Sequence, residues 1–208
     1  YIDGVCIRYV GSVKELKNPD LIILPGTKNT IADLIWLREC GLEAAIMKHV
    51  SKDKPLIGIC GGYQMLGLTL KDPYKVENGG EISGLGLLPC ETVFEKKKTT
   101  VRVEGKLEEV SGIFSGLSNA EFEGYEIHMG DTTNNRNIVN KGNVYGTYIH
   151  GIFDKDVISK TIVEALLINK GLSIDNLKTF DIKEYKETQY DILADELRKS
   201  LDMDYIYR

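Results

Sequence analysis

Gly58-Ile59-Cys60-Gly61-Gly62-Tyr63-Gln64 is the stretch of sequence that decides the fold. It continues the apolar run Pro55-Leu56-Ile57, and Tyr63 opens a segment with helical character. A buried strand that runs into a cysteine, two glycines and then a helix is typical of a nucleophile elbow. Glycines relieve the crowding around such a strained turn. Because a thiol at the start of a helix is stabilised as thiolate, we expect a lowered pKa for Cys60.

On both sides of this elbow, strand-like and helix-like segments alternate. Val5 to Val10 and Asp20 to Leu24 are predicted strands, and residues 30–50 have helical spacing with a break at Gly41. Val157 to Ile168 is a further predicted helix, and Ile192, Leu193, Leu197 and Leu201 indicate a last one. This alternation predicts an α/β fold with a mostly parallel central sheet flanked by helices.

The middle of the chain has a different pattern. Short strands are predicted at Leu85 to Leu88, Thr99 to Val103 and Glu121 to Ile127, separated by turn residues. We therefore expect an antiparallel section between about residues 71 and 140. The lysine run at 96–98 is interpreted as a solvated turn, because Glu95 and Glu104 flank it.

A nucleophilic cysteine needs a base, and the chain has three histidines. His150 ends the predicted strand that starts at Val144, so Cys60 and His150 are expected at the same carboxyl edge of the sheet, where sites form. His128 alternates with Glu126 on one face of a strand and is a second candidate. His49 is assigned to a surface or helix-end position.

The turn Pro25-Gly26-Thr27-Lys28-Asn29-Thr30 also follows a predicted buried strand. Its backbone N–H groups are candidates for one half of an oxyanion hole, with the N–H of Gly61 as the other half. The turn lacks the spacing of a phosphate loop, and Gly84-x-Gly86 lacks the third glycine of a dinucleotide fingerprint. No ATP site is predicted in these residues.

Composition narrows the classes of function. The 208 residues carry a net charge of −5, which is the wrong sign for a general nucleic-acid surface. No apolar run approaches the roughly 18 residues of a membrane span. The four cysteines show no Cys-x-x-Cys pair, which favours a reducing cytoplasm, and no metal site is predicted. One domain over residues 1–208 fits best.

Four motifs carry a resemblance to a known family. They are the elbow, the Pro-Gly turn within Leu24 to Leu34, Gly124-Tyr125-Glu126-Ile127-His128-Met129-Gly130, and Gly146-Thr147-Tyr148-Ile149-His150-Gly151-Ile152-Phe153. In this order they resemble the triad-type (class I) glutamine amidotransferase domain, and more narrowly the C-terminal domain of the cobyric acid synthases. The resemblance covers nearly the whole chain and implies a flavodoxin-like fold.

The resemblance implies that Cys60 attacks the side-chain amide of glutamine and that His150 transfers the protons. Gln64 matches a position that contacts the glutamine substrate in related domains. The other predicted substrate-binding residues are Gly26, Thr27 and Gly61 of the candidate oxyanion hole, and His128. No cofactor is expected in this domain. The ammonia would pass to an ATP- and magnesium-dependent synthetase domain that amidates corrin carboxylates. That domain normally precedes this one, and the missing initiator Met agrees with an excised C-terminal fragment.

One position departs from the wider class. Typical triad amidotransferases carry a glutamate two residues after the histidine, where this chain has Ile152. Glu126 and Asp154 are weak candidates for a third member, and a Cys-His dyad is the alternative. Three other functions remain open: the glutaminase subunit of a related ligase (cobyrinic acid a,c-diamide synthase or the lipid II amidating complex), a cysteine peptidase, and a non-catalytic thiol sensor or docking module.

Overall fold

The computed structural model describes residues 2, 4–134, 136–175 and 182–206. These residues form two compact units, one of residues 6–174 and the other of residues 1–5 with 175–208. The smaller unit contains the predicted last helix, observed at Ile182–Ser200, and a short helix at Met203–Ile206. In the described part of the chain, no helix is long and apolar enough to cross a membrane.

The larger unit contains eight strands and five α-helices among its described residues. The strands are β1 (Ile22–Leu24), β2 (Leu56–Ile59), β3 (Thr69–Asp72), β4 (Gly80–Ser83), β5 (Glu91–Lys106), β6 (Glu121–Thr132), β7 (Val139–Lys141) and β8 (Val144–Thr147). The helices are α1 (Val13–Leu16), α2 (Thr30–Glu39), α3 (Leu42–Val50), α4 (Gly61–Leu66) and α5 (Asp156–Asn169).

The first sheet has the strand order β1-β2-β8-β7. β2 pairs in parallel with β1 on one side and β8 on the other, and β7 is antiparallel to β8. Leu56 and Ile57 point to opposite faces of β2, and both are buried in separate apolar clusters. The sheet is thus covered on both faces, which explains why its central strand has a continuous apolar sequence.

The second sheet has the order β4-β3-β5-β6 and is mostly antiparallel. Its long β5–β6 ribbon is irregular between Phe94 and Thr99, where residues 95–98 lie opposite Met129 alone. The lysine run therefore occupies a bulge inside a strand and not the predicted turn, although it is exposed to solvent as expected. The mostly parallel α/β sheet and the antiparallel middle section are confirmed.

Two of the predicted strands are wrong. Residues 5–10 form no strand, and Ile7 and Tyr9 are largely exposed. Among the described residues no strand pairs with this segment, so its apolar residues do not make it part of a sheet. Leu85 to Leu88 is also not a strand. The backbone N–H of Leu85 donates to the carbonyl of Met65, and those of Leu87 and Leu88 donate to that of Leu66. These apolar residues therefore complete the C-terminal end of α4.

Candidate active site

Cys60 lies at the sharp turn between β2 and α4. Its backbone has φ 51° and ψ −111°, a conformation that a residue with a Cβ adopts only under strain. The glycines around it allow close packing, because a Cβ at Gly62 would lie 2.0 Å from the carbonyl oxygen of Leu24 in β1. The predicted elbow is confirmed in its geometry.

His150 lies three residues beyond the end of β8, the parallel neighbour of β2. The backbone N–H of Cys60 donates to the carbonyl oxygen of Thr147 at 2.8 Å, which ties the elbow to the last residue of β8. Cys60 and His150 therefore follow adjacent parallel strands at the same sheet edge, as the sequence predicted. Gly26 follows β1, the other neighbour of β2, at this edge.

Gly26 separates the cysteine from the histidine. A Cβ placed on Gly26 would lie 3.0 Å from Cε1 of His150 and 3.5 Å from the Cβ of Cys60. Both functional residues thus border the same small space, and a larger residue at position 26 would crowd it. The turn thus brings its backbone close to Cys60, which its predicted part in an oxyanion hole requires.

The thiol of Cys60 is in its protonated state. Only 6% of the residue is exposed, and Sγ donates a hydrogen bond to the carbonyl oxygen of Ile127 at 3.4 Å. Burial raises the pKa of Cys60 to about 11, and the carboxylates of Glu126 and Glu77 act in the same direction, against a hydrogen bond from the N–H of Gly61. The expectation of a lowered pKa is therefore wrong. A six-residue helix does not outweigh desolvation and two negative charges.

The pKa of His150 is shifted in the direction that favours a neutral imidazole. Burial lowers its pKa, the proximity of His128 lowers it further, and the carboxylate of Glu126 opposes both effects. Its Nε2 atom is buried and has no hydrogen-bond partner among the described residues. A neutral imidazole with an unused ring nitrogen is the state that a general base requires before the reaction.

The proposed oxyanion-hole residues lie side by side. A Cβ on Gly61 would lie 3.1 Å from the backbone nitrogen of Thr27 and 2.5 Å from its Cγ2, so the two backbones approach closely. The hydroxyl of Thr27 donates to the carboxylate of Asp33 in α2, which holds the turn in place. The two loops thus meet next to Cys60, and an oxyanion hole formed by their N–H groups stays a prediction.

Gln64 lies one turn after the nucleophile and is 2% exposed. Its Oε1 accepts from the hydroxyl of Thr30 at 3.0 Å, and its Nε2 donates to the hydroxyl of Tyr148 at 3.1 Å. The hydroxyl of Tyr148 also contacts that of Thr132 and donates to the carbonyl oxygen of Gly130. Gln64 is therefore part of a buried polar network, and its contact with a substrate stays a prediction.

His128 lies beside this network. Its ring stacks on that of Tyr148, with centroids 3.8 Å apart and an interplanar angle of 20°. Nδ1 is 2.7 Å from the carbonyl oxygen of Gly130, and Nε2 is 3.3 Å from Oε2 of Glu126. The structure thus joins His128 to Gln64 through Tyr148 and places it where it acts electrostatically on His150.

The third histidine of the chain, His49, lies in different surroundings. His49 lies in the last turn of α3, is buried, and has Nε2 2.9 Å from the carbonyl oxygen of Pro55, so it has a structural partner. Sequence reasoning missed Tyr148 and the carbonyl of Ile127, although both lie inside quoted motifs. Among the described residues, no group of three or more His, Cys, Asp or Glu side chains is placed to hold a metal ion.

The sequence of this chain matches a known protein family. Residues 3–158 match the family model described as the CobB/CobQ-like glutamine amidotransferase domain. The chain belongs to this family. The amidotransferase domain also resembles two solved structures, which show the fold alone. One is titled "Crystal structure of glutamine amidotransferase" (TM-score 0.56, 16% identity, 81% of this chain and 88% of the other), and one "Structure of PurLQS from Thermotoga maritima" (TM-score 0.51, 20% identity, 78% and 85%).

The curated relatives of this chain carry a more specific name than the family does. The amidotransferase domain is 53% identical over 228 aligned residues to a protein named cobyric acid synthase from Ruminiclostridium cellulolyticum, and 51% identical over 231 residues to one from Lachnoclostridium phytofermentans. These alignments include 100% and 99% of this chain but 44% and 45% of the two relatives. The chain thus spans less than half the length of the curated relatives that it matches.

Proposed function

We propose that Cys60 and His150 hydrolyse glutamine and that the released ammonia serves the amidation reaction of a cobyric acid synthase. The observation that carries this proposal is the shared space at Gly26, which both residues border at the ends of adjacent parallel strands.

The first half of the reaction forms a thioester. Glutamine enters with its carboxamide carbon beside Sγ. The S–H bond of Cys60, which points at the Ile127 carbonyl oxygen before the reaction, breaks as its proton passes to a nitrogen of the His150 imidazole. Sulfur then attacks the carboxamide carbon, and the oxygen becomes an oxyanion that the N–H groups of Gly61 and the Gly26-Thr27 turn stabilise. The imidazolium gives its proton to the nitrogen as the C–N bond breaks, and ammonia leaves.

The second half restores the enzyme. His150 removes a proton from a water molecule as the water oxygen attacks the glutamyl thioester. The tetrahedral oxyanion forms again in the same N–H pair. When the C–S bond breaks, the proton on His150 passes to sulfur, so glutamate leaves and the Cys60 thiol is regenerated.

Substrate recognition is proposed for Gln64 and His128 in addition. The Gln64 amide uses one N–H and one lone pair within the protein, which leaves a second N–H for a ligand. The ring of His128 is fixed by its stacking on Tyr148 and by Gly130. These contacts hold both groups in one orientation, as a preorganised binding site requires.

The wider reaction is proposed from the names of the curated relatives and from the motifs. In it, this chain is the C-terminal glutaminase part of a longer cytoplasmic enzyme. The other part is a synthetase that uses ATP and magnesium and amidates corrin carboxylates, converting adenosylcobyrinic acid a,c-diamide into adenosylcobyric acid. The short share of each relative that this chain spans leaves room for such a region.

The test uses the native full-length protein with two nitrogen sources. With glutamine, the wild type and a Cys40→Ala control are expected to amidate the diamide in the presence of ATP, whereas Cys60→Ala is not. With ammonium salts, all three are expected to amidate it, because the synthetase no longer depends on glutamine hydrolysis. Glutamine-driven amidation by Cys60→Ala would overturn the role of Cys60. If none of the three proteins amidates the diamide with ammonium salts, the proposed corrin reaction is wrong, whereas the proposed hydrolysis of glutamine is unaffected.

A further inference from the structure

No carboxylate of the described residues hydrogen-bonds to the imidazole of His150. The position two residues after it holds Ile152, and Glu126 binds His128 instead. The carboxylate of Asp154 lies beside the turn at Gly151, 3.5 Å from where a Cβ of that residue would be. A general base whose ring is free to rotate is inefficient, so the orientation of this imidazole needs another source.

Tyr125 in β6 lies flat against the His150 ring. The two ring centroids are 5.1 Å apart and the planes differ by 5°, the arrangement of an offset stack. The backbones of the same two residues form an isolated antiparallel bridge, with N–H to O distances of 2.8 Å from His150 to Tyr125 and 3.1 Å in the reverse direction. The ring contact holds the side chain of His150, and the two hydrogen bonds hold its backbone.

Gly124 makes this bridge possible. A Cβ at that position would lie 2.3 Å from the carbonyl oxygen of His150 and 2.7 Å from Cγ2 of Ile149. The β6 backbone therefore passes directly against the strand end that carries the base. Cε1 of His150 also lies close to Gly26, 3.0 Å from where a Cβ of that residue would be. The imidazole therefore contacts a tyrosine ring and borders a glycine.

We infer that Tyr125 is the positioning residue of the active site and that its ring orients the His150 imidazole by stacking, without a hydrogen bond. This inference rests on the proposed role of His150 as the base. Fold stability gives no comparable reason for the stack. Tyr125 is 45% exposed and belongs to neither apolar cluster of the larger unit.

The kinetic test compares Tyr125→Phe with Tyr125→Leu in the purified chain. Phe keeps the ring and is expected to keep wild-type kcat for glutamine hydrolysis, because the stack and not the hydroxyl positions the base. Leu removes the aromatic face and is expected to lower kcat by about 10- to 100-fold, since small misplacements of a catalytic group cost this much. KM for glutamine is expected to change little. Tyr190→Leu, on an exposed helix position, is the matched control.

A spectroscopic measurement separates orientation from general damage. The chain has three histidines, so the Hε1 signal of His150 can be assigned by its loss in His150→Gln. We expect an upfield ring-current shift of this signal in the wild type and in Tyr125→Phe, and its loss in Tyr125→Leu with the other two histidine signals unmoved.

The outcomes distinguish this inference from the proposed function. Wild-type kcat and an unmoved Hε1 signal in Tyr125→Leu would overturn the positioning role, as would an equal loss of kcat in Tyr125→Phe. If His150→Gln itself retains wild-type hydrolysis, the role of His150 as base fails first.

Discussion

The thiol of Cys60 donates a hydrogen bond to the carbonyl oxygen of Ile127, at a distance of 3.4 Å. The two residues are distant in sequence, and the bond joins the nucleophile elbow to a residue within β6. Burial raises the pKa of the same thiol, so the protonated form is favoured in the absence of substrate. Activation therefore requires that bound glutamine or the His150 imidazole compete with this carbonyl for the thiol.

The pH dependence of alkylation tests this resting state. Only the thiolate reacts with iodoacetamide, and burial raises the pKa of Cys60 to about 11. Modification of Cys60 without glutamine is thus expected to be slow at pH 7 and to become faster as the pH rises toward 11. Peptide mapping by mass spectrometry would measure the rate at this cysteine alone. A rate that levels off near pH 7 would show that the thiolate already exists there.

Replacing Glu126 by Gln is expected to make Cys60 more reactive. The carboxylate raises the pKa of the thiol, so its removal lowers that pKa and gives a severalfold faster alkylation at pH 8. The same change is expected to lower the pKa of His150 further, because the carboxylate of Glu126 raises that pKa in the wild type. Glu123→Gln, on the same strand and largely exposed, is the control. Slower or unchanged alkylation of Glu126→Gln would contradict this assignment of charges.

Thr30→Val is expected to destabilise the larger unit through Gln64. The substitution removes the hydroxyl that donates to the buried Oε1 of Gln64, and a buried acceptor left without a partner costs about 1–3 kcal/mol of unfolding free energy. Thr100→Val, at an exposed position of β5, is expected to have almost no effect. Urea unfolding followed by the fluorescence of Trp36, the single tryptophan, measures both. Equal stability of the two variants would mean that the network contributes nothing.

Gly62→Ala tests the packing of the elbow. The new Cβ would lie 2.0 Å from the backbone oxygen of Leu24, and a strand backbone cannot move aside without shifting β1. We expect a loss of about 3 kcal/mol in unfolding free energy, or no folded protein. At Gly11 the nearest atom to a Cβ is a flexible carboxylate oxygen 3.7 Å away, so Gly11→Ala is expected to be tolerated. A fully stable Gly62→Ala variant would refute the close approach of α4 to β1.

The elbow and the parallel strands could be predicted because their signals are local. A continuous apolar run before Cys60, glycines after it and a break at Gly41 each act within a few residues. The position of His150 followed from the rule that sites form at the carboxyl edge of such sheets.

The failures share a different cause, since each depends on residues distant in sequence. Leu85 to Leu88 have the apolar sequence of a short strand, but the N–H groups of the three leucines donate to carbonyls of the last two residues of α4. The pKa of Cys60 is set by burial and by Glu77 and Glu126. The stack of Tyr125 on His150 depends on a bridge between β6 and the residues after β8. No spacing in the sequence encodes these contacts.

Glutamate release from glutamine tests the central claim most directly. The wild-type chain and Cys40→Ala are expected to release glutamate and ammonia in equal amounts, because Cys40 is a half-buried thiol that donates to the carbonyl oxygen of Leu37 and packs against the apolar core. Cys60→Ala is expected to release neither, since no other group can form the thioester. Glutamate release by Cys60→Ala at the wild-type rate would contradict the account.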